Sequence, residues 1–221
     1  MNEHQKTIKK YNDLLDLHGD TPKALGWTKD KEYLRFHILC SGFDLEGSTV
    51  LDFGCGLGYL YAYLKENYKN FSYVGVDINE NLLMLAKKKF PDADFRCLDL
   101  MKDNLDVQPD FILSSGVHNI KLENNEAFNR ESFERFSAIS KKGFAVNFLS
   151  NKVDFPTEGS YHHSPEDILK LAYLYSRRVT LRNDYAPFEF TIFVDHRNSF
   201  DSYTVFPEFK KFIRPVESWI V

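Results

Sequence analysis

The chain has 221 residues, of which 43% are hydrophobic and 15% aromatic, a size and composition typical of one globular domain. Its net charge of -4 lacks the basic excess that drives binding to phosphate backbones, so nucleic acid is not an expected partner. The sequence contains neither an apolar run long enough to span a bilayer nor an apolar signal segment, and its 3 cysteines form no CxxC pair. We therefore expect a soluble, cytoplasmic protein with no membrane partner, disulfide framework or zinc site.

The N-terminal residues carry helical patterns and precede every strand-like run. Residues 5–18 place apolar side chains at three- and four-residue spacing, which predicts an amphipathic helix. Thr21 followed by Pro22 is typical of a helix start, and residues 30–41 carry a further helical stripe. The chain is therefore expected to open with helices.

Short apolar runs alternate with helical patterns from residue 49 onward. This alternation predicts βαβ units, a mostly parallel sheet and helices on both of its faces. The last two runs flank Ala186-Pro187 and predict a closing antiparallel hairpin. The predicted strands lie at residues 49–53, 71–77, 93–98, 110–115, 143–149, 179–185 and 188–196, and the predicted helices at 59–68, 79–90, 125–142 and 165–175. The expected fold is a doubly wound α/β sheet of these seven strands.

We expect one domain over residues 1–221 with three parts. Residues 1–45 form a helical lid or cover, and residues 46–196 form the core. Residues 197–221 are a C-terminal extension whose aromatic residues show no clear period, so no secondary structure is predicted there.

A glycine-rich turn, LDFGCGLG at residues 51–58, follows the first predicted strand. Glycines in such a turn permit positive φ and let a ligand approach the backbone. The spacing is GxGxG, whereas a dinucleotide-binding turn would have its third glycine at Tyr59. A carboxylate just ahead of the turn would repel a pyrophosphate and attract a cation, so the loop favours a ligand with a positive end. The binding candidates of this loop are Asp52, Gly54, Cys55, Gly56 and Gly58.

Further acidic residues follow the next two predicted strands. Asp77 ends a strand, where a carboxylate can accept hydrogen bonds from both hydroxyls of a ribose. An alternative role for Asp77 is a helix cap, but Asn79 is better placed for capping. Asp99 can accept from the exocyclic amine of adenine, with Ile78 and Leu100 as apolar neighbours of the ring. The loop and these acids indicate an adenosine with a cationic tail.

These residues resemble the class I S-adenosylmethionine-dependent methyltransferases. LDFGCGLG, GVDIN and CLDL are similar to three cofactor motifs of that family, and the likeness runs from about Thr49 to Ser150. The resemblance implies a Rossmann-like methyltransferase fold and S-adenosylmethionine as cofactor. It further implies that the glycine loop packs on the methionine part, that Asp77 holds the ribose, and that Asp99 with Leu100 flanks the adenine. A looser likeness, carried by HGDTPKALGW and SSGVHNIK, is to bacterial small-molecule methyltransferases.

Methyl transfer requires an aligned acceptor, a site without water and, where a proton must leave, a base. The segment after the fourth predicted strand contains Ser115, His118 and Asn119, of which His118 is the candidate base. Asn147 interrupts an apolar strand and needs a partner, either backbone or ligand. His118, Asn119 and Asn147 are the predicted acceptor side of the site, and Ser115 is predicted to bind the cofactor.

The N-terminal segment is expected either to close over the acceptor as a lid or only to cover one face of the sheet. Tyr11, His18 and Trp27 are the lid residues expected to face the acceptor. Three basic residues, Arg35, Lys121 and Arg182, favour an anionic acceptor. His162 and His163 would need a third ligand to hold a metal, so no metal is expected.

The favoured function is transfer of a methyl group from S-adenosylmethionine to oxygen or nitrogen of a small metabolite. The segment after the fourth strand lacks an Asn-Pro-Pro-Tyr pattern, which disfavours methylation of nucleobases or peptide amides. One alternative is a non-catalytic, regulatory protein that binds the same cofactor. Another is a nucleotide-dependent oxidoreductase, which the glycine spacing and Asp52 oppose.

Overall fold

A single mixed sheet forms the centre of the protein; the computed structural model describes residues 1–27, 31–197 and 205–214. The strands are β1 (Ser48–Phe53), β2 (Phe71–Asp77), β3 (Asp94–Cys97), β4 (Phe111–Ser114), β5 (Gly143–Leu149), β6 (Arg178–Arg182) and β7 (Glu189–Asp195). Their spatial order is β3-β2-β1-β4-β5-β7-β6. β1 to β5 are parallel, and β7 pairs antiparallel with both β5 and β6. The predicted fold, including its closing antiparallel hairpin, is confirmed.

Helices flank the sheet and precede it. The α-helices are α1 (Glu3–His18), α2 (Glu32–Ser41), α3 (Tyr59–Asn67), α4 (Glu80–Lys89), α5 (Asn125–Ile139) and α6 (Pro165–Ala172). Short 3₁₀ turns lie at Pro22–Leu25, Val117–Asn119 and Pro207–Phe212. α5 ends three residues before the predicted end, because the backbone N–H groups of Lys141 and Lys142 donate to carbonyls of Pro109 and Asp110 ahead of β4.

Side chains alternate between the two faces of the sheet along each strand, and this divides the core into two layers. Val50 of β1 and Leu113 of β4 lie in the layer that includes side chains from α2 and α3. Their neighbours Leu51 and Ile112 lie in the opposite layer, which includes side chains from α5 and α6. Successive residues of a strand point to opposite faces, so strands that are apolar throughout are buried by helices on both sides.

α1 lies outside these layers, and none of its residues is buried. It begins with a capping box in which the side chains of Asn2 and Gln5 each accept from the other's backbone N–H. Among the residues described, no helix is both long and apolar enough to cross a membrane. Of the predicted C-terminal extension, residues 198–204 and 215–221 lie outside the described part of the chain.

The site is positioned by β1, which has β2 on one side and β4 on the other. The chain reverses its direction of strand addition at this point, and such a switch leaves a crevice at the carboxyl ends of the strands. Because β1 to β4 are parallel, the segments that follow them all start at this one edge. The glycine loop, Asp77, Asp99 and Ser115 are thereby brought together.

Candidate functional site

A cavity of about 360 Å³ lies at the carboxyl edge of the sheet, beneath α1. Its volume falls within the range of small-ligand sites, roughly 300–1,000 Å³. Most of its wall is apolar or aromatic. The described residues of this kind are Ile8, Tyr11, Leu25, Trp27, Phe36, Phe53, Tyr59, Leu60, Ile78, Leu82, Met101, Val117, Ile120, Leu122, Ala127 and Phe128.

The glycine loop forms one end of the cavity through Gly54, Cys55 and Gly56. Gly54 has φ +74°, and a Cβ there would lie 2.1 Å from Cγ2 of Val117, so no other residue fits without movement. Gly58 does not line the cavity. A Cβ at Gly58 would lie 2.7 Å from Cζ of Phe95, so this glycine permits close packing at the start of α3. The loop thus divides into glycines that face the cavity and one that packs against the core.

Asp77 lies beside the loop and also lines the cavity. One of its carboxylate oxygens accepts from the N–H of Gly56 at 2.9 Å, and the other accepts from the N–H of Asn79 at 2.8 Å. Burial raises the pKa of Asp77, although these N–H donors oppose the rise. Asn79 caps α4 by accepting from two backbone N–H groups, as predicted, so Asp77 is not needed as the cap. Each Asp77 oxygen accepts one of these hydrogen bonds and can accept at least one more.

Asp52 lies deeper at the same end, with only 3% of its surface exposed. One oxygen accepts from the hydroxyl of Tyr73 at 2.8 Å. Burial raises the pKa of Asp52 to about 7, and the charge of Asp77 adds to the rise while Tyr73 opposes it. Burial together with these two carboxylates also raises the pKa of Cys55, so its thiol stays neutral.

Asp99 lies at the opposite end of the cavity. Its carboxylate accepts from the N–H of Met101 at 3.1 Å and lies 2.7 Å from Nζ of Lys102 and 3.4 Å from Nδ1 of His4. Leu100, predicted beside the adenine, does not line the cavity. Its side chain is 1% exposed and packs in the core layer of α5, so Met101 and Ile78 supply the apolar surface here.

The prediction that His118 acts as a base is wrong, because its side chain does not reach the cavity. The ring is fully buried, with Phe128 and Phe148 at centroid distances of 5.2 and 5.3 Å. Nε2 donates to Oγ of Ser132 at 2.9 Å, since that hydroxyl itself donates to a carbonyl, and Nδ1 has no partner in the described chain. Burial lowers the pKa of His118 to about 3, so the ring stays neutral at physiological pH.

The two predicted asparagines also turn away from the cavity. Oδ1 of Asn119 accepts from the N–H of Leu149 at 2.8 Å and so fastens the segment after β4 to the end of β5. Asn147 bonds to Gly116 and to Ser115, and it is Ser115 and Gly116 that line the cavity. The expectation that Asn119 and Asn147 face the acceptor is therefore corrected: both bind other parts of the protein.

The histidine pair behind these asparagines is also engaged within the chain. His162 accepts from the N–H of Thr157 and bonds to the carbonyl of Ser150, while Nε2 of His163 donates to the carbonyl of His118 at 2.7 Å. Within the described ranges, no group of three or more His, Cys, Asp or Glu side chains is arranged to hold a metal ion.

α1 forms the roof of the cavity through one helical face, Glu3, His4, Thr7, Ile8 and Tyr11. Burial and the charge of Asp77 raise the pKa of Tyr11 to about 12. Trp27 lines the wall beside Phe36, at a centroid distance of 5.6 Å, but His18 lies at the end of α1 and does not line the cavity. The roof residues other than Tyr11 were missed by the sequence analysis, although their helical spacing from Tyr11 was a usable signal.

The basic residues predicted to favour an anionic acceptor do not line the cavity. Arg35 forms two hydrogen bonds with the buried carboxylate of Glu189, at 2.8 and 2.9 Å. Arg182 pairs with Asp184, and Lys121 is exposed. The basic side chains among the described lining residues are His4 and Lys102, and both lie at the Asp99 end.

Comparison with known proteins gives matches to methyltransferases. Residues 50–138 match a family model described as a methyltransferase domain. A protein of Mycobacterium tuberculosis named as a methyltransferase is 29% identical over 156 residues, which covers 66% of this chain and 92% of that protein. A malonyl-acyl-carrier-protein O-methyltransferase of Priestia megaterium is 26% identical over 118 residues, which covers 52% of this chain and 38% of that one.

Among solved structures, magnesium protoporphyrin IX methyltransferase from Synechocystis with bound S-adenosylhomocysteine superposes with a TM-score of 0.62. The identity is 16%, and the alignment covers 86% of this chain and 99% of that one. At 16% identity, this similarity shows that the two proteins share a fold. The domain match runs from β1 into α5 and so includes the glycine loop, Asp77 and Asp99. Residues 50–138 thus carry a methyltransferase domain, and the fold of the chain is the Rossmann-like fold of S-adenosylmethionine-dependent methyltransferases.

Proposed function

We propose that the chain binds S-adenosylmethionine in the cavity beneath α1 and transfers its methyl group to oxygen or nitrogen of a small, uncharged acceptor. The observation that carries this proposal is the convergence of the glycine loop, Asp77 and Asp99 on one cavity of about 360 Å³. In this assignment Asp77 accepts from the ribose hydroxyls, and Asp99 accepts from the adenine amine.

The donor set of the cavity suits this cofactor. Ile78 and Met101 present apolar surface beside Asp99, where an adenine ring would lie, and the buried carboxylate of Asp52 lies at the glycine-loop end, where a cation is favoured. Bound S-adenosylmethionine would supply an electrophilic methyl group on a positively charged sulfur. The protein's own contribution is to align the acceptor and exclude water, and this chemistry needs no protein nucleophile.

The charges of the wall support an uncharged acceptor. The described lining residues include five acidic side chains, those of Glu3, Asp52, Asp77, Asp99 and Glu131. The basic His4 and Lys102 lie against Asp99, and Arg35 is held by Glu189. An anionic acceptor would therefore meet carboxylates, and a protonated amine has no lone pair with which to accept a methyl group.

We also propose that α1 acts as a lid over this site within a single methyltransferase domain. α1 buries none of its own residues, and polar contacts hold it at both sides of the cavity. Lys6 pairs with Glu123 at 3.1 Å, and Nδ2 of Asn79 donates to Oδ1 of Asn12 at 3.0 Å. A segment that is held by a few polar contacts and has no fully buried residue of its own has low local stability and is ordered by a ligand beneath it.

Titration with S-adenosylmethionine, S-adenosylhomocysteine and NAD tests the cofactor assignment. We expect both sulfur compounds to bind and NAD not to bind; binding of NAD alone would refute the proposal. Hydrogen exchange tests the lid in the same samples. Exchange across residues 3–18 should slow when S-adenosylhomocysteine is added, and protection that is already high without ligand and does not change would show that α1 is only a cover.

A further inference from the structure

Asn147 occupies an unusual place for an amide side chain. It lies in β5 between Val146 and Phe148, all three side chains are at most 2% exposed, and it does not line the cavity. Burying an amide among apolar residues is costly unless its donor and acceptor are both satisfied. An apolar side chain would suit this strand as well, so we look for the role of Asn147 in the groups to which its amide is hydrogen-bonded.

Both ends of the Asn147 amide bind the segment that follows β4. Oδ1 accepts from the backbone N–H of Gly116 at 3.1 Å, and Nδ2 donates to Oγ of Ser115 at 3.3 Å. Ser115 and Gly116 form part of the cavity wall. The amide therefore connects the buried centre of the sheet to two residues of the site.

Gly116 in turn lies next to Trp27. Gly116 has φ +87°, and a Cβ built on it would be at van der Waals distance, 3.5 Å, from Nε1 of Trp27, so the indole is the nearest side chain on that side of the glycine. Trp27 also packs edge-on against Phe36, and both rings line the cavity. A displacement of Gly116 would thus move the aromatic wall at the glycine-loop end.

We propose that Asn147 is a positioning residue of the methyl-transfer site: it holds Ser115 and Gly116 in place and thereby seats Trp27 against the cavity. This inference rests on the proposed function in one respect, the identification of the cavity as the cofactor site. Asn147 itself touches neither cofactor nor acceptor, because both ends of its amide are already bound within the protein.

The test measures S-adenosylhomocysteine affinity, melting temperature and tryptophan emission in the full chain. The sequence contains 2 tryptophans, so Trp219→Phe leaves Trp27 as the reporter. In that background, Asn147→Leu should weaken binding by about tenfold, because Gly116 and Ser115 lose their partner. The emission of Trp27 should shift to longer wavelength, because the indole loses its packed position. Asn147→Asp keeps an oxygen for the Gly116 N–H, so it should restore most of the S-adenosylhomocysteine affinity and of the Trp27 emission.

Thr191→Val is the matched control. Thr191 is fully buried, lies directly opposite Asn147 in the β5–β7 pair and bonds to the hydroxyl of Tyr185, but does not line the cavity. The Thr191→Val substitution should lower the melting temperature without changing S-adenosylhomocysteine affinity or Trp27 emission. The proposal is overturned if Asn147→Leu keeps wild-type affinity and emission, or if Thr191→Val changes both to the same extent.

Asn147→Ser covers the case in which Asn147→Leu does not fold. Its shorter side chain leaves the Gly116 N–H without an acceptor, so the same emission change is expected, and an unchanged spectrum would overturn the proposal. Failure of the wild-type chain to bind S-adenosylhomocysteine would refute the proposed function instead. The emission comparison would still decide whether Asn147 seats Trp27.

Discussion

The two halves of the cavity wall differ in how their polar residues are used. At the ends of β1 and β2, Asp52, Gly54, Gly56 and Asp77 all line the cavity, as the motifs predicted. After β4 and within β5, the side chains of His118, Asn119 and Asn147 are bound within the protein instead. A polar residue at the end of a buried strand can face a ligand or fasten a loop, and residue type alone does not decide between the two.

The difference has a physical basis in where partners are available. Asp77 lies one strand away from the glycine loop and lines the cavity, and its oxygens can still accept hydrogen bonds after two backbone N–H groups are bound. The amide of Asn147 and Nε2 of His118, both buried, find their hydrogen-bond partners inside the protein instead. Substitutions in the glycine-loop half should therefore affect ligand binding directly. Substitutions in the β4–β5 half should affect stability, and at Asn147 they should also affect binding indirectly, through Ser115 and Gly116.

The largest effect should follow Gly56→Val. Gly56 has φ +51°, and a Cβ there would lie 3.0 Å from Cδ2 of Leu25, inside the cavity wall. We expect S-adenosylhomocysteine affinity to fall by more than about 100-fold in a calorimetric titration, a loss of roughly 3 kcal/mol. Gly19→Val is the control, since Gly19 has φ +61° but nothing within 4 Å of its Cβ position. Near-wild-type affinity for Gly56→Val would mean that the loop does not form the ligand site.

Asp77→Ala should have the next largest effect. It removes the acceptor proposed for the ribose and also leaves the N–H of Gly56 without its bond. The expected loss of binding free energy is about 1–3 kcal/mol, the usual cost of losing hydrogen bonds to a charged group. Asp154→Ala, at an exposed loop position, is the matched control for loss of one negative charge. Equal affinities of the two variants would remove Asp77 from the site.

A smaller effect is expected from the ionisation of Asp52. Because burial raises the pKa of this carboxyl to about 7, raising the pH through neutrality places a negative charge at the glycine-loop end. S-adenosylmethionine carries a positive sulfur and S-adenosylhomocysteine does not. The ratio of the affinity for the first to the affinity for the second should therefore increase several-fold between about pH 5 and pH 8. In Asp52→Asn, the affinities for the two ligands should depend on pH in the same way. Parallel pH profiles for the two ligands in the wild type would contradict the assignment.

The smallest effect on binding is expected for His118→Leu, whose cofactor affinity should equal that of the wild type. This substitution should instead change how the stability of the folded chain depends on pH. The pKa of His118 is lowered to about 3 in the folded chain, so the unfolded chain takes up a proton first as the pH falls below about 6.5. The stability of the wild type relative to the variant should therefore decrease from about pH 6.5 toward pH 3, as followed by denaturant unfolding. A loss of affinity at constant stability would return His118 to the site.

The local patterns of the chain determined much of this protein. Apolar runs separated by helical spacing were sufficient for a parallel sheet, because strands buried on both faces have few polar positions. Gly54 and Gly56 were identifiable because only glycine fits a close approach with positive φ, and Asp77 because it ends the neighbouring strand. These features depend on residues that are near one another in sequence or on adjacent strands.

The tertiary structure alone decided which way the remaining polar residues point. Leu100 turns into the core while Met101 faces the cavity, and Arg35 meets Glu189, a residue 154 positions away. The partners of Asn147 and His118 lie on other elements of the fold. A buried polar group binds whichever complementary group the packing brings within hydrogen-bond distance, and that choice is made by contacts between distant parts of the chain, which no local pattern contains.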